Sequence, residues 1–200
     1  MSFTFNKDAV WFIKQQRTNL RKLSDNHLKE SYYKDCVKEV NEIVKVIPSN
    51  PTILDIWCGI GGMDAILINH YKDSYVYLLD SDGDTNQGGW MGGGQYCNQQ
   101  KLTKDFMLSN TIENKFSFVP DMGRDFFEEV DVITSYLSMG YHYGIKEYRA
   151  LIMRCLKKDG LLIVDLRKPK EHCPEKDFFE LKCEIKGTKG RPRYVFRKLI

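Results

Sequence analysis

The chain has 200 residues, a length that fits one domain able to bury roughly 70% of the surface of its unfolded chain. Its 30 Lys and Arg residues against 27 Asp and Glu residues leave a net charge of +3, which neither requires nor excludes a polyanionic partner. We find no apolar signal peptide and no run of about 18 apolar residues, so we expect a cytoplasmic protein without a membrane span.

The six cysteines are scattered, and none forms a Cys-x-x-Cys pair. Several lie at positions typical of apolar helix or strand faces, which favours reduced thiols in the core. His172, Cys173 and Cys183 do not have the spacing of structural zinc sites, so no metal site is predicted.

Two helices are predicted before residue 50. The first covers Lys7 to Leu23, with a face interrupted by Gln16 and basic side chains that suit either a solvated surface or contact with a ligand. The second has Ser24 or Asp25 as its N-cap and Pro48 as its stop. Its apolar residues recur at three- and four-residue spacing: Tyr33, Cys36, Val37, Val40, Ile43, Val44 and Ile47.

Residues 53–62 read Ile-Leu-Asp-Ile-Trp-Cys-Gly-Ile-Gly-Gly and are the most informative stretch of the chain. The pattern predicts an apolar strand ending near Asp55, a glycine turn, and a helix over Met63 to Ile68. Gly59 and Gly61 allow the backbone to turn tightly and to approach a ligand closely. The free N–H groups of the following helix face the same space, as in nucleotide-cofactor sites.

The turn is not the dinucleotide fingerprint, because Gly-x-Gly-x-x-Gly requires glycine at position 64, where the chain has Asp64. It resembles motif I of class I S-adenosylmethionine-dependent methyltransferases, whose usual form is Asp/Glu-x-Gly-x-Gly-x-Gly. The resemblance implies that this segment binds S-adenosylmethionine through Asp55, Trp57, Cys58, Gly59 and Gly61.

Trp57 departs from that motif, which usually has glycine there, and a bulky indole could collide with the methionine part of the cofactor. An aromatic residue does occur at this place in the similar motif I of cytosine-C5 DNA and uracil-C5 RNA methyltransferases. The Pro-Cys nucleophile of the former and the Asp/Asn-Pro-Pro-Tyr motif of amino-group nucleobase enzymes are absent here, so those acceptors are not implied.

Beyond the turn, strand patterns at 74–79, 115–119, 130–135 and 161–166 alternate with helix patterns at 97–109 and 146–156. This alternation predicts a parallel sheet with helices on both faces. Residues 157–160, Lys-Lys-Asp-Gly, are predicted to end the second of these helices, with glycine just past its end. Residues 178–186 and 194–199 are predicted to form an antiparallel hairpin, since no helix fits between them.

The methyltransferase resemblance implies a Rossmann-like α/β fold with a mostly parallel seven-stranded sheet, a C-terminal antiparallel hairpin and helices on both faces. It also implies one methyltransferase domain over residues 1–200, with N-terminal helices in 1–47 and a cofactor-binding core in 52–200.

Polar residues at the ends of the second and fourth strands are the next candidates for cofactor contact. Asp80 follows the second strand, about 20 residues after the glycine turn, where a carboxylate can accept hydrogen bonds from both ribose hydroxyls. A solvated loop aspartate is the alternative. Ser81 and Ser135 adjoin these strand ends and are included in the predicted cofactor site.

After the third strand, Asp121 and Met122 are candidates for the adenine pocket. A carboxylate can accept a hydrogen bond from the exocyclic amine, and an apolar side chain suits the ring face. Asp125 lies close enough in sequence to be an alternative to Asp121. The glycine-rich segment 88–94 is either a lid near the cofactor or a surface loop without a role.

The fourth strand ends in hydroxyl, imidazole and aromatic groups, and Tyr141, His142 and Tyr143 are the candidate catalytic residues. Methyl transfer is an in-line displacement, so the protein must align the acceptor, exclude water and remove a proton from a hydroxyl acceptor. His142 is the candidate base, although a structural histidine is the alternative. This run also resembles a stretch of small bacterial methyltransferases whose acceptor is unassigned.

The sequence thus favours an S-adenosylmethionine-dependent methyltransferase acting on an oxygen or nitrogen of a small-molecule or sugar acceptor. One alternative is a nucleic-acid methyltransferase, whose phosphate contacts would come from Lys186, Lys189, Arg191, Arg193, Arg197 and Lys198. The other is a binding protein that keeps the cofactor fold without chemistry, as Trp57 suggests.

Overall fold

A computed structural model of the protein describes residues 2–17, 19–80, 100–111, 115–120, 123–142, 144–187 and 190–200. The helices are α1 (Lys7–Gln16), α2 (Asp25–Ile43), α3 (Gly62–His70), α4 (Gln100–Asn110), α5 (Arg149–Cys155) and α6 (Pro169–His172), with a 3-10 turn over Ile145–Tyr148. The strands are β1 (Thr52–Ile56), β2 (Tyr75–Leu79), β3 (Phe116–Phe118), β4 (Val130–Ser135), β5 (Leu156–Asp165), β6 (Phe179–Lys186) and β7 (Pro192–Lys198).

The strands form one sheet in the order β3-β2-β1-β4-β5-β7-β6. The first five strands pair in parallel, and β7 pairs antiparallel with both β5 and β6. The chain runs outward from β1 to β3 and then returns to place β4 on the other side of β1. This reversal is a topological switch point, and it opens a crevice at the carboxyl ends of β1 and β4.

Two apolar layers cover the two faces of the sheet. One packs α1, α2, α3 and α4 against residues such as Ile53 and Val76, and the other packs α5 against residues such as Leu54 and Ile133. Alternate residues of β1 point into opposite layers, as the two-residue period of a strand requires. The predicted fold class is confirmed: a Rossmann-like, mostly parallel seven-stranded sheet with an antiparallel C-terminal pair and helices on both faces.

The first predicted helix is too long, because α1 ends at Gln16 and not at Leu23. Arg17 leaves the helix with φ −108°, and its guanidinium lies 5.7 Å from the centre of the Tyr32 ring. Leu20 is still buried, in the turns that follow. Within the described ranges, no helix is both long and apolar enough to cross a membrane.

Residues 157–160 do not end a helix as predicted. Helix α5 stops at Cys155, and β5 begins directly at Leu156 with an irregularity in its pairing to β4. The left-handed residue is Asp159, with φ 63°, and not Gly160. Gly160 is required for space instead, since a Cβ there would lie 2.8 Å from the Lys157 carbonyl oxygen.

Candidate functional site

The glycine turn after β1 is held by hydrogen bonds to the end of β2. The N–H groups of Trp57 and Cys58 both donate to the Leu79 carbonyl oxygen, at 2.6 and 3.3 Å. The Gly59 N–H donates to Asp80 Oδ2 at 2.8 Å. The turn and Asp80 therefore form one unit at the switch-point crevice, and the sequence predicted both parts of it.

The two glycines of the turn serve different purposes. Both have positive φ, 58° at Gly59 and 77° at Gly61. A Cβ on Gly59 would meet no heavy atom of the described residues within 4 Å, whereas one on Gly61 would lie 2.7 Å from Met107 Sδ. A side chain at Gly59 would therefore meet no described residue, and Gly61 allows α4 to pack against the turn.

Trp57 adopts a left-handed conformation, with φ 65°, and its side chain turns away from the glycines. Its indole Nε1–H donates to the Tyr148 hydroxyl at 2.5 Å, and the ring packs against the apolar layer that contains Leu54. A collision of this indole with the cofactor would require the ring to point into the turn. These contacts hold the ring against Tyr148 and the apolar layer instead.

Cys58 is half-buried beside the same turn. Burial raises the pKa of the Cys58 thiol well above its usual range, and the nearby Asp80 carboxylate raises it further. A thiol that stays protonated is a poor nucleophile, so this cysteine has no activated form for covalent catalysis.

Tyr141 and His142 lie in the turn that follows β4, at the same edge of the sheet. Their rings meet edge to face, with centroids 4.9 Å apart, and the His142 N–H donates to the Ser138 carbonyl oxygen at 2.7 Å. The imidazole is largely exposed. Its remaining desolvation lowers the pKa of His142, and the positive charge of Arg167 lowers it further, so the ring is neutral at pH 7.

Solved structures that share this architecture include proteins named as a methyltransferase and a methylase. The ribosomal protein L11 methylase of Lactobacillus delbrueckii subsp. bulgaricus superposes with a TM-score of 0.59 at 12% identity, covering 85% of this chain and 79% of that one. The chain has the class I methyltransferase fold. No protein-family model and no curated protein sequence matches it.

Two further structures with this fold are longer than the present chain. The pyocyanin biosynthetic protein PhzM has a TM-score of 0.59 at 12% identity, and the match covers 90% of this chain and 61% of PhzM. P. horikoshii TYW2, in complex with MeSAdo, has a TM-score of 0.52 at 19% identity, with 82% of this chain and 60% of that one covered. Such identities establish the shared methyltransferase fold and not a shared substrate.

Below the crevice of this methyltransferase fold lies a buried pair of carboxyl groups, Asp55 and Asp64. Asp55 accepts a hydrogen bond from Thr134 Oγ1 at 2.8 Å, while the oxygens of Asp64 find no donor within the described part of the chain. Burial is the main cause that raises the pKa of both groups, to about 6 for Asp64, and the charge of Asp64 raises the pKa of Asp55 further.

The consequence is that the pair shares a proton near neutral pH. A proton on Asp55 supplies the donor that Asp64 otherwise lacks. Asp55 therefore faces inward, towards helix α3 and strand β4, and its predicted contact with the cofactor stays a prediction. Sequence patterns identified Asp55 but gave Asp64 only as the residue that breaks the dinucleotide fingerprint.

Arg193 is fully buried and holds the loop after β4, a role that sequence analysis missed. Its Nε donates to Asp165 Oδ1 at 3.0 Å, and its Nη2 donates to Glu39 Oε2 at 2.7 Å. Asp165 Oδ2 also accepts from the Leu137 N–H at 3.0 Å. The guanidinium stacks on the Tyr136 ring at 4.1 Å. The strand pattern gives no signal for this burial, because Arg197 has the same parity on β7 and stays exposed.

Three of the C-terminal basic residues, all on β7, do not share one surface for phosphate, as the nucleic-acid alternative required. Arg193 is in the core, and the Lys198 ammonium donates to the Met153 and Leu156 carbonyl oxygens. Arg197 pairs with Glu180 at 2.6 Å. Each of these three side chains is held by a different part of the structure.

Of the other predicted site residues, Ser135 lies within the described part of the chain and the rest do not. Ser135 is buried: its hydroxyl donates to the Ile56 carbonyl oxygen at 2.8 Å and accepts from the Met139 N–H at 3.0 Å. It joins β1 to β4 beneath the crevice. The remaining predictions lie outside the described residues: Ser81, Asp121, Met122, Tyr143 and the glycine-rich segment 88–94.

A cavity of about 360 Å³ opens at the opposite, amino edge of the sheet, lined in part by Pro48, Lys157 and Lys182. Ligands of open α/β sheets bind at the carboxyl ends of the strands, so this cavity is separate from the candidate site. Among the described residues, no group of His, Cys, Asp and Glu is arranged to hold a metal ion.

Proposed function

We propose that this protein is an S-adenosylmethionine-dependent methyltransferase that acts on an oxygen or nitrogen atom of a small-molecule or sugar acceptor, with residues 1–200 working as one domain. The observation that carries the proposal is the glycine turn at the switch-point crevice, where the Gly59 N–H donates to the buried carboxylate of Asp80 at 2.8 Å. Structures with the same fold are bound to analogues of this cofactor, which supports the cofactor assignment.

The residues present fit the cofactor. Asp80 directly follows β2 and is buried, with an exposed fraction of 8%. Its carboxylate is suited to accept hydrogen bonds from the ribose hydroxyls. The absent side chain of Gly59 leaves space beside that carboxylate among the described residues. The glycine turn and the first N–H groups of α3 suit the methionine part. The contacts of Trp57 with Tyr148 weigh against the alternative of a silent binding protein, since that alternative rested on an obstructed turn.

When bound, S-adenosylmethionine would supply a methyl group on a positively charged sulfur, and the acceptor lone pair would take this methyl as the carbon–sulfur bond breaks to leave S-adenosylhomocysteine. The chain's contribution is to orient the acceptor at the crevice and to exclude water. For a hydroxyl acceptor, the neutral imidazole of His142 takes the hydroxyl proton. Tyr141 and Tyr143 flank His142 in sequence and are proposed to orient the acceptor.

The test is calorimetric titration with S-adenosylhomocysteine, using the Asp80→Asn variant. Asparagine keeps an acceptor for the Gly59 N–H but removes the charge, so affinity should fall by about 1.5 to 3 kcal/mol without loss of the fold. Asp73→Asn, at an exposed position before β2, is the matched control and should bind normally. Unchanged affinity in a folded Asp80→Asn variant would remove Asp80 from the ribose site.

A further inference from the structure

Tyr141 is enclosed by cationic side chains from separate segments of the chain. The guanidinium carbon of Arg167, which follows β5, lies 5.9 Å from the Tyr141 ring centre. That of Arg191, which precedes β7, lies at 5.5 Å, and its Nη1 also donates to the Tyr141 hydroxyl. We call Tyr141, His142, Arg167 and Arg191 the Tyr141 patch. It lies at the carboxyl edge of β4 and β5, beside the switch-point crevice.

The patch contains two arginines, and two lysines lie beside it. Arg191 is exposed and pairs with no carboxylate of the described residues. The nearby carboxylate of Asp165 is already engaged by the buried Arg193. Lys168 follows Arg167 directly, and Lys186 ends β6 opposite Pro192, next to Arg191; both lysines are exposed. Cationic side chains from three segments of the chain therefore reach one edge of the sheet, an arrangement that suits an anion.

The pKa of His142 is lowered first by desolvation and then by the charge of Arg167, so the imidazole and this guanidinium lie within electrostatic reach of each other. The type of cation further limits the ligand. Two guanidinium groups around one ring present several N–H donors, which suit the several oxygens of a phosphate. The two guanidinium groups near the Tyr141 ring repel each other, and an anion bound between them offsets that repulsion.

We propose that the acceptor carries a phosphate group, which Arg167 and Arg191 bind beside the Tyr141 ring while the methylated atom lies nearer the glycine turn. This inference rests on the proposed methyltransferase function. It also places the phosphate beside the arginines, which balance its charge, while the neutral imidazole of His142 next to them is available as the base. The phosphate belongs either to a small sugar phosphate or to the backbone of an RNA strand.

The test measures binding of two pairs of probes to the full chain. Ribose 5-phosphate is compared with ribose. A single-stranded RNA of about 12 nucleotides, a length suited to one binding groove, is compared with an uncharged morpholino oligomer of the same sequence. Each is titrated by fluorescence or calorimetry against the wild type and the double variant Arg167→Gln/Arg191→Gln. Lys158→Gln/Lys182→Gln, at two exposed lysines beside the amino-edge cavity, is the charge-matched control.

We expect at least one phosphate probe to bind about ten times more tightly than its uncharged partner, and the double variant to lose that preference while the control keeps it. For RNA, the dependence of binding on salt should also become shallower in the double variant, by about 1.4 in the logarithmic slope for two lost phosphate contacts. A preference for ribose 5-phosphate identifies a small acceptor, and a preference confined to RNA identifies a polymer.

The proposal is overturned if neither phosphate probe is preferred by the wild type, or if the double variant keeps the preference. Because both arginines are exposed, the double variant should fold normally, and the salt dependence of wild-type binding needs no variant at all. Titration with S-adenosylhomocysteine distinguishes the two failures. A wild type that binds S-adenosylhomocysteine but not phosphate contradicts this inference alone, whereas the reverse result contradicts the proposed methyltransferase.

Discussion

At the scale of single residues, the turn after β1 combines two opposing effects at Trp57. Its left-handed backbone would suit glycine, which is what the usual motif has. Its indole, however, donates a hydrogen bond to Tyr148 and packs on the apolar layer that contains Leu54. The larger of these two effects decides whether replacing Trp57 by the glycine of the common motif raises or lowers the stability of the chain.

Trp57→Gly should reduce the stability of the chain and should not tighten cofactor binding. Relief of the backbone conformation is worth about 1 to 2 kcal/mol, but loss of a packed indole costs about 3 to 5 kcal/mol when it is removed down to alanine. We therefore expect a net loss of about 2 kcal/mol, measured by denaturant unfolding. Tighter S-adenosylhomocysteine binding with an undiminished melting temperature would instead mean that the indole obstructs the site.

His142→Gln should lower the maximal rate with a hydroxyl acceptor by roughly a hundredfold while affinity for S-adenosylhomocysteine stays nearly constant. Because the pKa of His142 is lowered from 6.5, the wild-type rate should fall only below about pH 6.5, as the imidazole gains a proton. His70→Gln, an exposed histidine at the end of α3, is the control. An unaffected rate would leave alignment alone as the mechanism.

At the scale of elements, the C-terminal hairpin supports the crevice from below. Arg193 on β7 reaches Asp165 on β5 and Glu39 on α2, and Asp165 in turn accepts a hydrogen bond from the loop that follows β4. The hairpin therefore extends the sheet and also positions the loop that leads to the Tyr141 patch.

Arg193→Met should destabilise the chain by about 3 to 5 kcal/mol, because two carboxylates stay buried without their cation. Arg197→Met is a matched control in the same strand: Arg197 is 44% exposed and pairs with Glu180, so its loss should cost less than about 1 kcal/mol. Urea unfolding of both variants measures the difference. Equal losses would show that the buried cluster does not stabilise the hairpin.

At the scale of the whole molecule, the order of the sheet gathers residues that are far apart in sequence at one edge. The glycine turn, Asp80, the loop after β4 and the two exposed arginines of the Tyr141 patch come from five different parts of the chain. Beneath them, Asp55 and Asp64 bury a shared proton, which links the stability of the whole fold to pH.

The free energy of unfolding should fall as pH rises through about 6. The pKa values of Asp55 and Asp64 are raised by folding, so their contribution to stability is fully present below the unfolded value of 3.8 and is lost as the pH rises, for Asp64 as the pH passes about 6. Asp64→Asn removes the titration of Asp64, so the stability of the variant relative to the wild type should be about 2 to 3 kcal/mol greater at pH 7.5 than at pH 4. A difference that does not change with pH would mean that the pair shares no proton.

The sequence by itself determined the class of fold and the glycine turn. Alternating apolar strands and helices can bury their hydrophobic faces only in a layered arrangement around a sheet. The positive φ angles at Gly59 and Gly61 favour glycine, which the sequence has at both positions. Element ends were less predictable: α1 ends at Gln16, before Arg17, whose guanidinium lies over the Tyr32 ring, and Asp159 takes the left-handed position expected for Gly160.

Only the tertiary structure decided which polar groups face one another. Asp64 on α3 meets Asp55 on β1, and Arg193, 154 positions after Glu39, is buried with it, while Arg191 two residues earlier stays exposed on Tyr141. Local patterns report which face of an element is apolar, but the pKa of a carboxyl and the partner of an arginine depend on charges that long-range packing brings within a few ångströms.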